Sequence, residues 1–294
     1  MNERILVVGA SGLLGGMVTR KLVAAGVPVR GLSRHPAKLA SLAAIGVEVV
    51  QGDLMVPDTL AAACAGIAQV FSTANSFIGK RATSPTRIDV PGYSSLVGAA
   101  RAAGVRRLVH TSAYGITRDS AVDYFRVKTE VDEVIRHAGI PFVLLKPSAF
   151  LDVWAGMLTT EMSAGRPVRI FGDGEAVAND IAADDVAEFA IRILGRPDLV
   201  GESIDLGGPS TISQNELVAL YEAHLGRPVA RRHLPLAVLR LGSRLLRPFD
   251  ELTARFMALG AWSAEGDRRL DHWDRAAAQF GVEPITAEAF IRSH

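Results

Sequence analysis

The sequence predicts an α/β fold in which a doubly wound parallel sheet carries a smaller, mostly helical C-terminal lobe. Between residue 4 and about residue 147, short apolar runs alternate with segments of helical periodicity, and this alternation predicts a parallel sheet with crossover helices. The runs are continuously apolar, which is typical of strands covered by helices on both faces. Beyond about residue 150 the pattern becomes mostly helical.

The elements follow one another in a regular order. The predicted strands are 4–10, 27–33, 47–53, 68–74, 105–112 and 141–147. The helices between them include 12–26, 93–104 and 123–139, and each ends at a glycine, a common helix stop. The later elements are a helix at 149–164, strands at 167–172 and 202–208, and helices at 183–195, 213–226, 236–262 and 286–294. We therefore expect a core at 1–150 and a mixed portion at 151–294 that completes the sheet and forms a second lobe.

Composition and charge argue against several classes of protein. The chain has 32 Lys+Arg against 31 Asp+Glu, so it offers no broad basic surface for nucleic acid. It shows no signal-peptide layout and no apolar segment of about 18 residues, the length of a membrane span. The single cysteine, Cys64, lies in an apolar run that favours a buried side chain. We expect a soluble, cytoplasmic protein with a small-molecule substrate and no bound metal, and a homodimer stays open.

A glycine-rich turn follows the first predicted strand and opens the first predicted helix. Glycines at this spacing permit a tight turn, close approach of backbone N–H groups to a pyrophosphate, and close packing of helix on sheet. The turn therefore predicts a dinucleotide site in the 1–150 core. The candidate binding residues in this turn are Gly9, Ser11, Gly12, Leu13, Leu14 and Gly15.

The end of the second strand favours NADP(H) over NAD(H). An acidic residue at this place usually holds the ribose 2′-OH of NAD, whereas an arginine favours the 2′-phosphate of NADP. The chain has Ser33 and Arg34 here and no acid, with Lys38 nearby. We expect Arg34 to hold the phosphate, with NAD(H) as the second choice of cofactor. A solvated basic turn is the alternative interpretation.

Two further strand ends supply candidate cofactor contacts. Asp53, followed by Leu54, ends the third strand, where its carboxylate is equally suited to accept from an adenine amino group or to cap the next helix. The fourth strand ends in the small residues Ser72, Thr73 and Ala74. The polar segment 75–87 that follows is a candidate substrate lid.

The chain resembles the short-chain dehydrogenase/reductase superfamily, specifically its atypical NmrA-like and isoflavone-reductase-like branches. The resemblance covers about residues 4–210 and rests on the motifs VVGASGLLGG, VRGLSR, GDL, AARAAGVRRLVHTSA, YFRVKTEVDEVIRHAGIPFVLLKPSAF and IAADDVA. It implies a Rossmann fold and an NAD(P)-dependent reductase or dehydrogenase.

The resemblance also implies a reacting set of Ser112, Tyr124 and Lys128. Lys128 would favour the ionised phenol of Tyr124 and bind the nicotinamide ribose, Tyr124 would transfer a proton at the substrate oxygen, and Ser112 would orient a carbonyl. Many atypical members keep the lysine without the tyrosine, so Lys128 acting alone is an alternative. Thr111 or Tyr114 could also replace Ser112 or Tyr124.

Three other features of the sequence bear on the site. The resemblance also implies that the chain turns back over the nicotinamide after the sixth strand, where Pro147 and Ser148 would shape the turn and Pro147 would contact the cofactor. Asp184 and Asp185 are expected to start a helix and anchor the second lobe. The segment 229–262 pairs arginines with leucines, and we interpret it as a helix packed by its leucines with solvated arginines, with a membrane or partner surface as the alternative.

The sequence thus favours an NADP(H)-dependent oxidoreductase that transfers hydride to or from a small organic carbonyl, quinone or enone. A non-enzymatic NAD(P)-sensing regulator of the NmrA type is a second hypothesis, although such a protein has no chemical need for a Tyr-x-x-x-Lys pair. A nucleotide-sugar epimerase or dehydratase is a third, disfavoured by the missing acid after the second strand.

Overall fold

A computed structural model describes residues 3–293 of the chain. Its strands are β1 Ile5–Val8, β2 Val29–Ser33, β3 Glu48–Gln51, β4 Gln69–Ser72, β5 Arg107–Thr111, β6 Phe142–Pro147, β7 Val168–Phe171, β8 Val177–Ala178, β9 Glu202–Leu206, β10 Ile212–Ser213 and β11 Arg231–Leu234. Its α-helices are α1 Leu13–Ala24, α2 Ala40–Ala43, α3 Pro57–Cys64, α4 Pro85–Ala102, α5 Asp123–Arg136, α6 Leu151–Ser163, α7 Ala183–Leu194, α8 Gln214–Leu225, α9 Leu236–Leu245, α10 Glu251–Ala264, α11 Trp273–Phe280 and α12 Ala287–Ser293. Short 3₁₀ turns lie at Pro36–Leu39 and Arg81–Thr83.

The central sheet has seven strands in the order β3-β2-β1-β4-β5-β6-β9. Neighbouring strands from β3 to β6 run parallel. This order reverses direction beside β1, which is the doubly wound Rossmann arrangement. The predicted fold class is therefore confirmed. The predicted strand at 167–172 exists as β7 but pairs with β11, outside this sheet.

The inner strands of the sheet are buried as their apolar runs predict, whereas the edge strands β3 and β9 are largely exposed or half-buried. All four residues of β1 are buried, and its alternate side chains Leu6 and Val8 join a core cluster with residues of α3, α4 and α5. Cys64 belongs to this cluster and is fully buried, as expected. Burial raises the pKa of its thiol to about 11. Helix α1 packs against α7, where Lys21 pairs with Asp184 at 3.1 Å.

A buried arginine in β5 holds the C-terminal end of α7. Arg107 is 3% exposed, and its Nη2 donates to the carbonyl oxygens of Ile193 and Leu194, both at 2.9 Å. The same nitrogen donates to Gln69 Oε1 at 2.7 Å. Burial lowers the pKa of Arg107. A cation placed on unpaired carbonyl groups at the end of a helix also complements the helix dipole.

The chain divides into two compact units. The first comprises the chain up to Arg118 together with Tyr124–Lys146 and Ala183–Ile204. The second comprises Asp119–Asp123, Pro147–Ala182 and the chain from Asp205 onward. The second unit contains the strand pairs β7 with β11 and β8 with β10. The boundary at about residue 150 stays a prediction.

The basic segment 229–262 is not one helix. It forms β11, α9 and α10, because Pro248 cannot continue a helix and Asp250 caps the next one by accepting from the Thr253 amide at 3.2 Å. Packing by leucines is found at Leu239, which is buried, whereas Leu241 and Leu245 are 58% and 62% exposed. Within residues 3–293, no helix is long and apolar enough to span a lipid bilayer.

Candidate active site

The glycine turn is closed by backbone groups that leave no room for side chains. Gly9 has φ +99°, in the left-handed region that favours glycine. Its carbonyl oxygen accepts from the Gly12 amide at 2.9 Å. A Cβ added at Gly15 would lie 2.1 Å from that oxygen, and one added at Gly9 would lie 2.8 Å from the Ala74 nitrogen. The glycines at these places therefore follow from the closeness of the turn to α1 and to the end of β4.

The N-terminus of α1 is open and uncapped. Gly12 is the N-cap and supplies no side-chain hydrogen bond, and the first turn carries no acidic residue. Ser11, Gly12 and Leu13 are exposed, while Leu14 and Gly15 are buried. Unpaired amides at such a helix end attract an anion. The turn and the helix end together fit the pyrophosphate of a dinucleotide.

The end of β2 presents two exposed cations. Arg34 and Lys38 are both exposed. Ser33 is buried, and its hydroxyl both accepts from the His35 amide at 3.1 Å and donates to the His35 carbonyl at 3.0 Å. Ser33 thus shapes the turn that carries Arg34.

Asp53 shapes a turn without capping α3. Its Oδ1 accepts from the Met55 amide at 2.9 Å. Helix α3 begins at Pro57 with Val56 as its N-cap, and that cap has no side-chain hydrogen bond. The Leu54 side chain packs against the core cluster. An adenine contact by Asp53 stays a prediction.

At the end of β4 the Ser72 side chain points into the protein, and Thr73 and Ala74 follow beside the glycine turn. Ser72 is 2% exposed, and its Oγ lies 2.8 Å from His110 Nδ1. Thr73 and Ala74 are half-buried. The Tyr93 hydroxyl donates to the Ala74 carbonyl at 2.7 Å. The part of this strand end that lies directly beside Gly9 is the backbone of Thr73 and Ala74.

Lys128 and Tyr124 lie together on α5. Lys128 is half-buried, and its Nζ donates to the Thr111 carbonyl, at the end of β5, at 2.9 Å. The same Nζ lies 5.5 Å from the centre of the Tyr124 ring. Phe77, from the predicted lid segment, packs edge-on against that ring at 5.0 Å between centroids. The structure thus brings together two of the three residues of the predicted reacting set.

Burial and charge act in opposite directions on Lys128. Burial lowers the pKa of this lysine, while the carboxylates of Asp132 and Asp89 raise it. Close by, burial and the Lys128 charge hold the pKa of His110 well below its ordinary value of 6.5. His110 is therefore a neutral imidazole behind the lysine.

Ser112 points to a partner that the sequence analysis did not identify. Its Oγ donates to Asp132 Oδ2 at 2.7 Å, and both residues are buried. Asp132 lies four residues after Lys128 on α5, so that the two side chains share a helix face. A carboxylate among the apolar positions Val131 and Ile135 was the available signal for it. The orienting role of Ser112 toward a substrate stays a prediction.

The remaining predicted residues lie at or after the end of β5, at the end of β6 and at the start of α7. Thr111 is buried, and within residues 3–293 its hydroxyl has no hydrogen-bond partner, whereas Tyr114 is half-buried. Pro147 ends β6, and the Ser148 hydroxyl donates to the Asn179 carbonyl at 2.5 Å. Asp184 and Asp185 lie in the first turn of α7, as expected for helix-start residues.

The sequence of the chain matches a known protein family and several characterised relatives. Residues 1–256 match the NmrA-like family. The NAD(P)H azoreductase of Xenophilus azovorans is 31% identical over 228 residues, covering 76% of this chain and 75% of that protein. The photosystem II assembly factor Ycf39 of Cyanophora paradoxa is 27% identical over 240 residues, covering 81% of this chain and 73% of that protein.

A solved structure shares the fold over nearly the whole chain. The NADPH-dependent quinone oxidoreductase QOR2 of Escherichia coli, complexed with NADPH, superposes with a TM-score of 0.80 at 22% identity. The match covers 98% of this chain and 99% of that one. The family match, the azoreductase relative and the shared fold agree with the motifs of the sequence, and the chain belongs to the NmrA-like family.

Proposed function

We propose that this protein is an NADP(H)-dependent oxidoreductase that transfers hydride to or from a small organic carbonyl, quinone or enone. The observation that carries the proposal is the pairing of Lys128 with Tyr124 in the same compact unit as the open glycine turn. The azoreductase relative, named for NAD(P)H-dependent reduction of an organic substrate, supports the same class. When bound, the reduced cofactor would supply the hydride, and the oxidised cofactor would accept it in the reverse direction.

Backbone groups and two cations, Arg34 and Lys128, are the main groups that would hold the cofactor. The backbone amides at the N-terminus of α1 would hold the pyrophosphate, apart from the Gly12 amide, which already donates to the Gly9 carbonyl oxygen. Arg34 binds the 2′-phosphate, a group that a planar guanidinium recognises with paired hydrogen bonds. Lys128 has three donor protons, of which one is used on the Thr111 carbonyl. Its other protons are available for the ribose hydroxyls.

Lys128 and Tyr124 carry the proton chemistry. An ammonium beside a phenol favours the ionised form of the phenol, so that Tyr124 can release a proton to a substrate oxygen or take one back. Phe77, packed against the Tyr124 ring, keeps water from one side of it. This arrangement corresponds to the mechanism of classical short-chain dehydrogenases. Lys128 acting without Tyr124 is the variant of it within the NmrA-like family.

Binding and turnover are tested separately. Titration of the protein with NADPH, followed by nicotinamide fluorescence or calorimetry, is expected to show saturable binding. A panel of quinones, azo compounds and enones is then expected to show NADPH oxidation that Lys128→Ala reduces by a factor of about 100 or more. Glu130→Gln, an exposed change on the same helix, is the control. Absence of binding to NADPH and NADH rules the proposal out.

The alternative is a non-enzymatic, NAD(P)-sensing regulator, and the relative named as a photosystem II assembly factor supports it. NADPH binding without reduction of any compound in the panel, unchanged by Lys128→Ala, would favour a cofactor-sensing regulator. If Tyr124→Phe retains full turnover while Lys128→Ala abolishes it, Lys128 is the acid–base residue. A cytoplasmic location and a homodimer stay predictions.

A further inference from the structure

Asp132 is a buried carboxylate that the proposed mechanism does not use. It is 4% exposed and lies on α5 one turn after Lys128. Its Oδ2 accepts from the Ser112 hydroxyl at 2.7 Å. Among residues 3–293, its Oδ1 has no hydrogen-bond partner. Burying a carboxylate with only half of its hydrogen bonds is costly, so another interaction must favour its presence here.

Positive charges surround Asp132. The pKa of this carboxyl lies above its usual value, because burial outweighs the Ser112 hydrogen bond and the charge of Lys128, which both lower it. The groups that face Asp132 are Ser112 on β5, Lys128 and Arg136 on α5, Lys146 on β6 and Tyr93 on α4. Three of these are cations, and they favour the ionised carboxylate.

Lys128 has the complementary need. Burial disfavours its ammonium form, and Asp132 is the largest influence that favours it, followed by Asp89 on α4. The groups facing Lys128 are thus Asp132 and Asp89, the neutral His110 on β5 and the ring of Tyr124.

One dipeptide of the chain holds both charges. The carbonyl of Thr111 accepts from Lys128 at 2.9 Å, and the hydroxyl of the next residue, Ser112, donates to Asp132 at 2.7 Å. The end of β5 therefore fixes the lysine and its counter-charge together. Asp132 is thus held one helical turn from Lys128, and a carboxylate at that place favours the ammonium form of the lysine.

We propose that Asp132 is a positioning residue whose buried carboxylate, held by Ser112, is the counter-charge of Lys128 at the end of β5. This role rests on the proposed function, which assigns Lys128 to the reaction. It also gives Ser112 a task inside the protein, as the donor that holds the counter-charge.

The titration of Lys128 tests the coupling without any cofactor or substrate. The lysines of the chain are Lys21, Lys38, Lys80, Lys128 and Lys146, so Cε signals of lysine-labelled protein can be assigned by Lys128→Ala and followed over pH by NMR. In Asp132→Asn, which keeps the shape and removes the charge, the Lys128 signal is expected to titrate at lower pH than in the wild type. Glu130→Gln removes an exposed carboxylate from the same helix and is expected to leave the Lys128 midpoint unchanged.

Ser112→Ala keeps the proposal testable if Asp132→Asn does not fold. Loss of the hydroxyl weakens the ionised form of Asp132, so the Lys128 midpoint is expected to move in the same direction by a smaller amount. In a reductase assay, Asp132→Asn should lower kcat/KM about tenfold more at pH 9 than at pH 6, because neutral Lys128 accumulates at the higher pH.

The outcomes separate this role from the proposed function. A shifted Lys128 midpoint in a protein without reductase activity supports the coupling and removes the proposed reaction. An unshifted midpoint in folded Asp132→Asn and Ser112→Ala overturns the coupling, even if both variants lose activity uniformly with pH.

Discussion

Gly15 packs so closely against Gly9 that a Cβ on Gly15 would lie 2.1 Å from the Gly9 carbonyl oxygen and 2.7 Å from its carbon. The oxygen is fixed in place, because it also accepts from the Gly12 amide at 2.9 Å. The start of α1 and the end of β1 are therefore joined by backbone alone. The proposed pyrophosphate site depends on this contact.

Gly15→Ala is expected to widen the turn and lose the cofactor. Forcing a methyl group into this space requires a backbone shift that costs about 1–3 kcal/mol in the free energy of unfolding. We expect a lower midpoint in urea unfolding and an NADPH Kd raised about tenfold or more, since the helix amides move away from the phosphates.

Gly98→Ala in α4 is the matched control for this change. A Cβ at Gly98 meets no atom within 4 Å, and replacing a helical glycine by alanine stabilises by about 0.5–1 kcal/mol. If Gly15→Ala behaves like Gly98→Ala, with higher stability and intact NADPH binding, the close contact does not govern the site.

Arg34 is expected to decide between the two dinucleotides. NADPH and NADH differ only by the 2′-phosphate, so Arg34→Ala should raise the Kd for NADPH about tenfold or more and change the Kd for NADH about twofold at most. Lys38→Ala should give a smaller loss of the same kind. Arg101→Ala, an exposed change at the end of α4, serves as the control for net charge. Equal losses for the two cofactors would argue against a phosphate contact.

Most of the fold follows from local sequence signals. The apolar runs place β1 to β6 and β9 within a few residues of their observed bounds, because each run is long enough to cross a buried sheet. The predicted helix at 236–262 is wrong as a single helix, although Pro248 and Asp250 were signals of a break there. Helix breaks of this kind can be predicted from the sequence, because the proline and the capping residue that cause them lie within a few residues of the break.

Contacts in the candidate site could be predicted only between residues that lie close together along the chain. Tyr124 and Lys128 lie one helical turn apart, so their contact follows from the sequence. The partner of Ser112 is 20 residues away on another element. Sequence alone cannot decide whether the Ser112 hydroxyl turns to a substrate or to Asp132, because that choice depends on how α5 lies on the sheet.

His110 is expected to make stability depend on pH. In the unfolded chain this histidine binds a proton as pH falls below about 6.5, whereas burial and the Lys128 charge hold its pKa far lower in the folded protein. Its contribution to stability is therefore present above pH 6.5 and is lost as pH falls toward the folded pKa, at a slope of about 1.4 kcal/mol per pH unit. Between pH 7 and pH 5.5 the wild type should lose about 1 kcal/mol more than His110→Asn.

Urea unfolding at the two pH values measures this difference. The asparagine keeps a polar atom near the position of Nδ1 and so can still bond to Ser72, whose Oγ lies 2.8 Å from that nitrogen. His137→Asn, an exposed change at the end of α5, should follow the wild type at both pH values. Parallel loss of stability in the wild type and His110→Asn would mean that His110 takes up a proton in the folded protein as readily as in the unfolded chain.

Arg107 and its neighbour Arg106 offer a sharp test of where the chain uses a buried cation. Arg107, the first residue of β5, is buried and donates to Gln69 and to the carbonyl groups at the end of α7, while Arg106, just before the strand, is exposed and pairs with Glu3. Arg107→Met removes the donors and leaves buried carbonyl oxygens without partners, which is expected to cost about 3–5 kcal/mol of unfolding free energy. Arg106→Met should be indistinguishable from the wild type in the same urea titration, because an exposed ion pair contributes little.

Arg107→Lys should lie between the two, since it restores the charge without the planar fork that reaches several acceptors at once. If Arg107→Met were as stable as Arg106→Met, the end of α7 would be held by packing, and the hydrogen bonds of Arg107 would be its consequence.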